Sequence, residues 1–444
     1  MTARLDQESK PDASLDVANW DAGKEWSTVA LLALAFGLVG LDRWLIAPLA
    51  PAMIADLGFT PQTINLLIAA LGVTWGGAAV LMGGLSDRIG RRNTLVPALV
   101  GFSLLSAFSG AATGLATLLL ARATMGVFEG AFAPASFAAT AETSRPSRRG
   151  FNQGLQQSAF ALFGLGFGPL IATQLLQVAS WRVVFMLLAA PGLILAVLLW
   201  RALGGAAPAP LITSPAPERP PRARLGEVFA HRNVGLGMGL LLCAMCGVFV
   251  LSANVPIYLV QHLHLTPIQM GVVTSAIGFG GFCGQWGLPA LSDRIGRRAA
   301  ATIGFGLGAI FLQFFMIAGP NVPQLFVLLF ITTGFSFGLL SLITGPIATE
   351  AAPPGRISAT AGMIIGSGEI FGGGLALVAA GAIIRAFGLP AMLLLALGGL
   401  ALGLILSLWL RETSPRVLAR APQADQEPQI AIRSTDHWFD PPAA

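Results

Sequence analysis

Leu85-Ser86-Asp87-Arg88-Ile89-Gly90-Arg91-Arg92 returns unchanged at Leu291 to Arg298, 206 residues further along the chain. Each copy stands between two apolar stretches long enough to cross a bilayer. So charged a string, repeated in such a setting, marks a chain built from two similar halves. Other pairs keep nearly the same offset. Glu142 and Arg148 match Glu350 and Arg356, while Gly154 and Gly164 match Gly362 and Gly372.

Composition defines the solvent. Of 444 residues, 55% are hydrophobic and 11% charged, with a mean hydropathy of +0.74. A soluble domain carries about 25% charged residues, so this chain lacks the charge to clothe a water-facing surface. Apolar runs of roughly 20 residues recur along it, the length of a bilayer-spanning helix. They cover 27–50, 62–84, 94–113, 115–140, 150–178, 182–203, 233–261, 267–291, 299–319, 322–348, 357–386 and 389–411. Backbone groups at membrane depth need internal partners, and these runs exceed a barrel strand, so they are helices. The expected fold is an all-α membrane protein of twelve transmembrane helices in two pseudo-symmetric six-helix halves.

The halves are expected over 27–203 and 233–411, with polar tails at 1–26 and 412–444. The first tail lacks the basic start and short apolar core of a signal peptide. Between the halves, 204–232 holds Pro208, Pro210, Pro215, Pro217, Pro220 and Pro221, an extended linker rather than a packed domain. Loop arginines fix the orientation. Arg88, Arg91, Arg92, Arg145, Arg148, Arg149, Arg294, Arg297, Arg298 and Arg356 share one side with the linker; Arg182 and Arg385 fall on the other. The rich side is expected to be cytoplasmic, with both termini inside an inner membrane.

The net charge of +5 therefore reflects topology and gives no reason to expect a nucleic-acid partner. Cys243, Cys246 and Cys283 all lie in apolar spans and read as packing residues rather than metal ligands. No cofactor or metal is expected. Neither a nucleophile elbow nor a phosphate loop appears, which argues against an enzyme.

Gly83-x-x-x-Asp87-Arg88-x-Gly90-Arg91-Arg92 resembles the signature loop of the major facilitator superfamily, and its second copy has Pro289 in place of Gly83. Arg122-x-x-x-Gly126-x-x-x-Gly130 resembles a second motif of that superfamily. Asp42-Arg43 in span one, with Arg122 and Glu129 in span four, looks like the anion:cation symporter branch. That resemblance implies that Arg43 touches a substrate anion and that Glu129 takes up a coupling proton. It also implies an inner-face gate. Asp87 would accept hydrogen bonds from the amino end of span eleven, and Asp293 from that of span five. Arg91 with Glu142 and Arg297 with Glu350 would form clasps, joined by Arg148 and Arg356.

Physical chemistry points to the same interior residues. Ionisable groups in a bilayer cost a few kcal/mol each, so Asp42, Arg43, Arg122, Glu129 and Glu369 are functional candidates by default. Adjacent on a helix, Asp42 and Arg43 point about 100° apart and need other partners. Arginine stays charged and offers a planar fork to a carboxylate. A substrate anion on Arg43 would compete with Asp42 or Glu129, and the displaced acid would take a proton. The alternative is a static ion-pair lattice with no titration. Glu369, flanked by Gly366, Gly368 and Gly372, is either a helix-packing contact or a cavity group. Gln156, Gln157 and Asn254 are further candidates to line a substrate cavity, as is Tyr258, which also suits an interface anchor.

The expected function is import of a small organic anion with protons by alternating access, by a monomer in the lipid bilayer. The rival is a proton-coupled antiporter exporting drugs or metabolites. A buried Arg43 suits anionic cargo and repels a cationic drug.

Overall fold

In the computed structural model, which describes residues 21–145, 148–203, 232–352 and 357–418, twelve helical spans follow one another and no strand occurs among the described residues. They are α1 Ala22–Leu57, α2 Pro61–Ile89, α3 Arg91–Gly110, α4 Leu115–Thr143, α5 149–175, α6 Trp181–Ala202, α7 Arg232–Gln261, α8 Pro267–Ile295, α9 Arg297–Ile317, α10 Val322–Glu350, α11 357–387 and α12 Ala391–Ser407. Nearly all of the expected linker, and most of both tails, lie outside the described residues.

The duplication is visible in how helices start and stop. Thr60-Pro61 opens α2 and Thr266-Pro267 opens α8; each threonine hydroxyl accepts the backbone N–H three residues on. Proline follows at the first helical position, where its missing N–H costs nothing. Each helix runs for 29 residues and ends at a glycine, Gly90 or Gly296, with φ of 91° and 99°. Only glycine enters that region cheaply, so the octapeptide carries the turn from one span into the next.

Several span ends differ from the sequence reading by a few residues, most of all at α1, which runs on to Leu57 rather than 50. α1 begins at Ala22 rather than at 27, because the Asp21 carboxylate accepts the Lys24 N–H at 3.0 Å and caps a turn of helix before the apolar run.

Three spans depart from regular α geometry. α5 has a π-helical segment at Leu162–Phe167, α10 at Ile343–Ile347 and α11 at Gly368–Leu375. Those of α5 and α11 occupy matching places in the two halves. α1 changes course at Leu45, where Pro48 has no N–H to offer the Trp44 carbonyl.

The halves meet at two seams. Gly278 of α8 lies so close to the α5 backbone at Leu165 and Gly166 that a methyl group there would collide with main chain. On the end far from the octapeptides, Gly381 and Gly374 of α11 lie against Gln62 and Val73 of α2. Leu120, Ile194, Ile310 and Leu394 stand exposed on the outside, as side chains facing lipid do.

Candidate functional site

The break in α1 presents Asp42, Arg43 and Trp44 at the middle of the molecule, all at most 2% exposed. Arg43 crosses between the halves: its Nη2 donates to Glu369 Oε2 of α11 at 3.2 Å. Its guanidinium also lies between two aromatic faces, 5.1 Å from the Trp75 ring of α2 and 5.0 Å from the Phe249 ring of α7. Trp44 packs on the same Phe249 ring at 5.1 Å. Gly72 of α2 borders the arginine tip, and a Cβ there would meet Nη2 in ordinary contact at 3.5 Å. Glu369 belongs to the π-helical segment of α11, a distortion that frequently marks functional sites.

Asp42 turns the other way. Ser106 of α3 donates to its Oδ1 at 2.6 Å, and its Oδ2 has no hydrogen-bond partner among the described residues. Arg122 of α4 donates through Nη1 to the Asp42 carbonyl at 3.0 Å, and its guanidinium lies 4.9 Å from the Phe185 ring. Arg122 Nε and Nη2 have no acceptor among the described residues.

Glu129 is the extreme case. It is 0% exposed, and neither carboxylate oxygen has a hydrogen-bond donor among the described residues. Holding an isolated charge there is costly, whereas a carboxylic acid carries its own proton. Gly126 and Gly130 bring α4 onto the α2 backbone at Leu71 and Trp75, which seals Glu129 from solvent.

The other expected cavity residues separate. Gln156 donates to Ser136 at 2.8 Å and accepts from Thr140 at 2.5 Å, so it ties α5 to α4. A glutamine at membrane depth satisfies itself on the neighbouring helix. Gln157 is exposed. Asn254 is buried in α7, donates to the Val250 carbonyl and leaves its Oδ1 without a donor among the described residues.

At the octapeptides, Arg91 pairs with Glu142 at 2.7 Å and Arg297 with Glu350 at 2.9 Å, each within its own half. Arg91 also donates to Ser86 and Arg297 to Ser292, at 3.0 and 2.6 Å. Asp293 accepts from Arg297 at 2.7 Å. The Arg148 guanidinium lies 5.8 Å from the Trp26 ring. The expected gate roles of the Asp87 side chain and of Arg356 fall outside the described residues.

Sequence reasoning missed two features. One is the Arg43–Glu369 bridge. The other is Glu412, just beyond α12, whose carboxylate accepts the N–H groups of Arg297 and Arg298 at 2.8 and 3.2 Å and so caps α9. An acid shortly after the last apolar run was the only available signal for it.

Twelve helices in two matched halves, with charged groups buried at their junction, define a multi-pass membrane carrier. The chain belongs to the Major Facilitator Superfamily, whose model matches residues 32–363 and 237–442. It is similar to a probable 4-methylmuconolactone transporter of Cupriavidus pinatubonensis, 28% identical over 352 residues, covering 76% of this chain and 79% of that one. It is also similar to the puromycin resistance protein pur8 of Streptomyces alboniger, 32% identical over 183 residues, covering 41% of this chain and 36% of the other. Among solved structures, a bacterial homolog of the human lysosomal transporter Spinster superposes with a TM-score of 0.68 at 17% identity, over 88% of this chain and 95% of that one. That last likeness speaks to fold alone.

Proposed function

We propose that this protein imports a small organic anion, a sugar acid or another carboxylate, together with protons. The observation that carries this reading is Arg43. It is a permanent cation, buried between the halves, bounded by aromatic faces and neutralised by a single hydrogen-bonded carboxylate. Anionic cargo gains from such a group and cationic cargo is repelled by it. The similarity to a relative named as a 4-methylmuconolactone transporter supports cargo of the small organic kind.

Glu129 is the proton carrier in this reading, buried and without a donor among the described residues. Asp42, held by Ser106, tunes the site or carries a second proton. The halves rock about the α5–α8 and α2–α11 seams, exposing the Arg43 site to either side in turn. The arginine-rich octapeptide face is cytoplasmic in an inner membrane, and the Arg91–Glu142 and Arg297–Glu350 pairs stiffen it.

The test is uptake into proteoliposomes with an inward proton gradient, offering a panel of sugar acids, dicarboxylates and aromatic acids. At least one should accumulate against its own gradient. The rival reading, proton-driven export, draws on the likeness to a puromycin resistance protein. It would win if no anion accumulates and cationic drugs leave loaded vesicles when protons enter.

A further inference from the structure

We infer that Glu369 is a built-in stand-in for the cargo: it occupies Arg43 in the empty carrier, and the cargo carboxylate displaces it. This rests on the anion-import reading above and assigns Glu369 a role within that site.

Three observations lead there. First, the bridge joins residues 326 apart, on helices of opposite halves, through one hydrogen bond of 3.2 Å. Arginine can offer a carboxylate a two-pronged contact, so Glu369 engages only part of what is available. Second, donors are left over around the same aromatic cluster. Arg43 Nε, Trp44 Nε1 and Trp75 Nε1 are buried and have no acceptor among the described residues. Buried donors are nearly always paired, so three orphans in one cluster point to an acceptor that arrives from outside. A carboxylate flanked by further oxygen atoms fits them better than the single Glu369 side chain. Third, the acid sits on an irregular turn beside a gap. It lies in a π-helical segment with Gly368, Gly372, Gly373 and Gly374, and the facing helix carries Gly76, where even a Cβ would only reach ordinary contact with Glu369 Cβ, at 3.7 Å.

The exchange conserves charge in a defined way. The pair Arg43⁺–Glu369⁻ becomes Arg43⁺–cargo⁻, and the released Glu369 takes one proton from solution on its oxygen. No covalent bond changes other than the new O–H. Of the other titratable groups on the packed helices, Asp42 beside Arg43 on α1 turns to Ser106 of α3, and Cys246 of α7 meets Gly372 through its backbone N while its Sγ lies toward Gly399 of α12. On α4, Arg122 and Glu129 complete the interior charges, while α2 contributes Gly72, Trp75 and Gly76. Of these, Glu369 alone hydrogen-bonds the Arg43 guanidinium among the described residues.

The deciding comparison uses Glu369→Gln in purified full-length carrier, with gluconate as an oxygen-rich probe and butyrate as a plain one. Because a competing internal ligand lowers apparent affinity by the fraction of free sites, its removal should tighten gluconate binding about tenfold at neutral pH. Wild-type affinity should rise as pH falls, toward that of the variant, and the variant should show the weaker pH dependence. Butyrate should bind both proteins more weakly than gluconate. Equal or weaker gluconate binding by Glu369→Gln overturns the inference.

A second arm needs no cargo. Spin labels at Leu66 and Phe387, exposed residues of α2 and α11, report the seam far from the octapeptides in a Cys283→Ala background. Without the bridge this seam should populate a wider separation in the empty variant; an unchanged distance distribution overturns the inference. If no anion binds either protein yet the seam widens in Glu369→Gln, the bridge stands as an internal latch and the anion-import reading falls.

Discussion

The two halves agree at the octapeptide face and disagree in the interior. Arg91–Glu142 and Arg297–Glu350 are the same clasp built twice, from the same string and an acid 51 or 53 residues beyond. At membrane depth among the described residues, the first half buries Asp42, Arg43, Arg122 and Glu129 and the second buries Glu369, with Arg297 buried at the octapeptide face. At the offset that relates Glu142 to Glu350, Arg122 and Glu129 correspond to Phe330 and Phe337, and Asp42-Arg43 fall in the stretch from Val248 to Leu251. Duplication supplied the frame, and the buried charges break its symmetry. In the proposed import reading the first half handles cargo and proton, and the second lends one acid and an aromatic wall.

The largest effect that sharpens this contrast is at Arg43. Arg43→Ala leaves Glu369 buried without its partner, a loss of about 3–5 kcal/mol for a broken interior pair. Uptake should fall by about 100-fold or more while the protein still purifies as a folded carrier; unchanged uptake would end the asymmetric picture. Next comes Glu129→Gln, which should preserve cargo exchange across vesicles but lower gradient-driven accumulation by the share of the one proton that Glu129 carries. Each coupled proton is worth about tenfold accumulation per pH unit, and the variant should lose that factor. An intact accumulation ratio moves coupling to Asp42 or Glu369.

A smaller pair of variants compares the repeated loops directly. The Arg297 side chain is 8% exposed and serves Ser292, Asp293 and Glu350, whereas Arg91 is 21% exposed beside a Glu142 that is mostly open to solvent. Arg297→Gln should cost about 2 kcal/mol of stability and Arg91→Gln under about 1 kcal/mol, by thermal or denaturant unfolding in detergent. Equal losses would mean that the two copies are energetically alike despite their surroundings. The smallest expected effect is Glu412→Gln. It removes an anion from the amino end of α9, about 0.3–1 kcal/mol, and no variant of the first half has a counterpart. At the matching place after α6 the sequence reads Leu203-Gly204-Gly205, with no acid.

Much of the frame was legible before any coordinates. Long apolar runs give helices wherever backbone groups must satisfy themselves, and a repeated octapeptide gives the duplication. The Arg91–Glu142 and Arg297–Glu350 contacts were anticipated from the family resemblance, helped by an acid recurring 51 and 53 residues after the arginine in the two halves. The start of α1 was hidden by its polar first turn, which a capping aspartate rather than apolar periodicity makes helical. The interior was harder. Asp42, Arg43, Arg122, Glu129 and Glu369 stand out as charges in apolar runs, yet no local pattern says which meets which. Gln156 looked like a cavity group because polar residues in spans are conspicuous, and its real neighbours, Ser136 and Thr140, are equally polar but small. Pairing across 326 residues depends on how α1 and α11 approach in the fold, which no local pattern in either span records.

The distance between Arg43 and Glu369 along the chain has a consequence during synthesis. Ribosomes add about 5–20 residues per second, so α11 emerges roughly 16 to 65 seconds after α1. Throughout that interval the arginine must remain hydrated, lean on Asp42 or be shielded by the insertion machinery. The charge on α1 thus waits for α11 before it finds its partner.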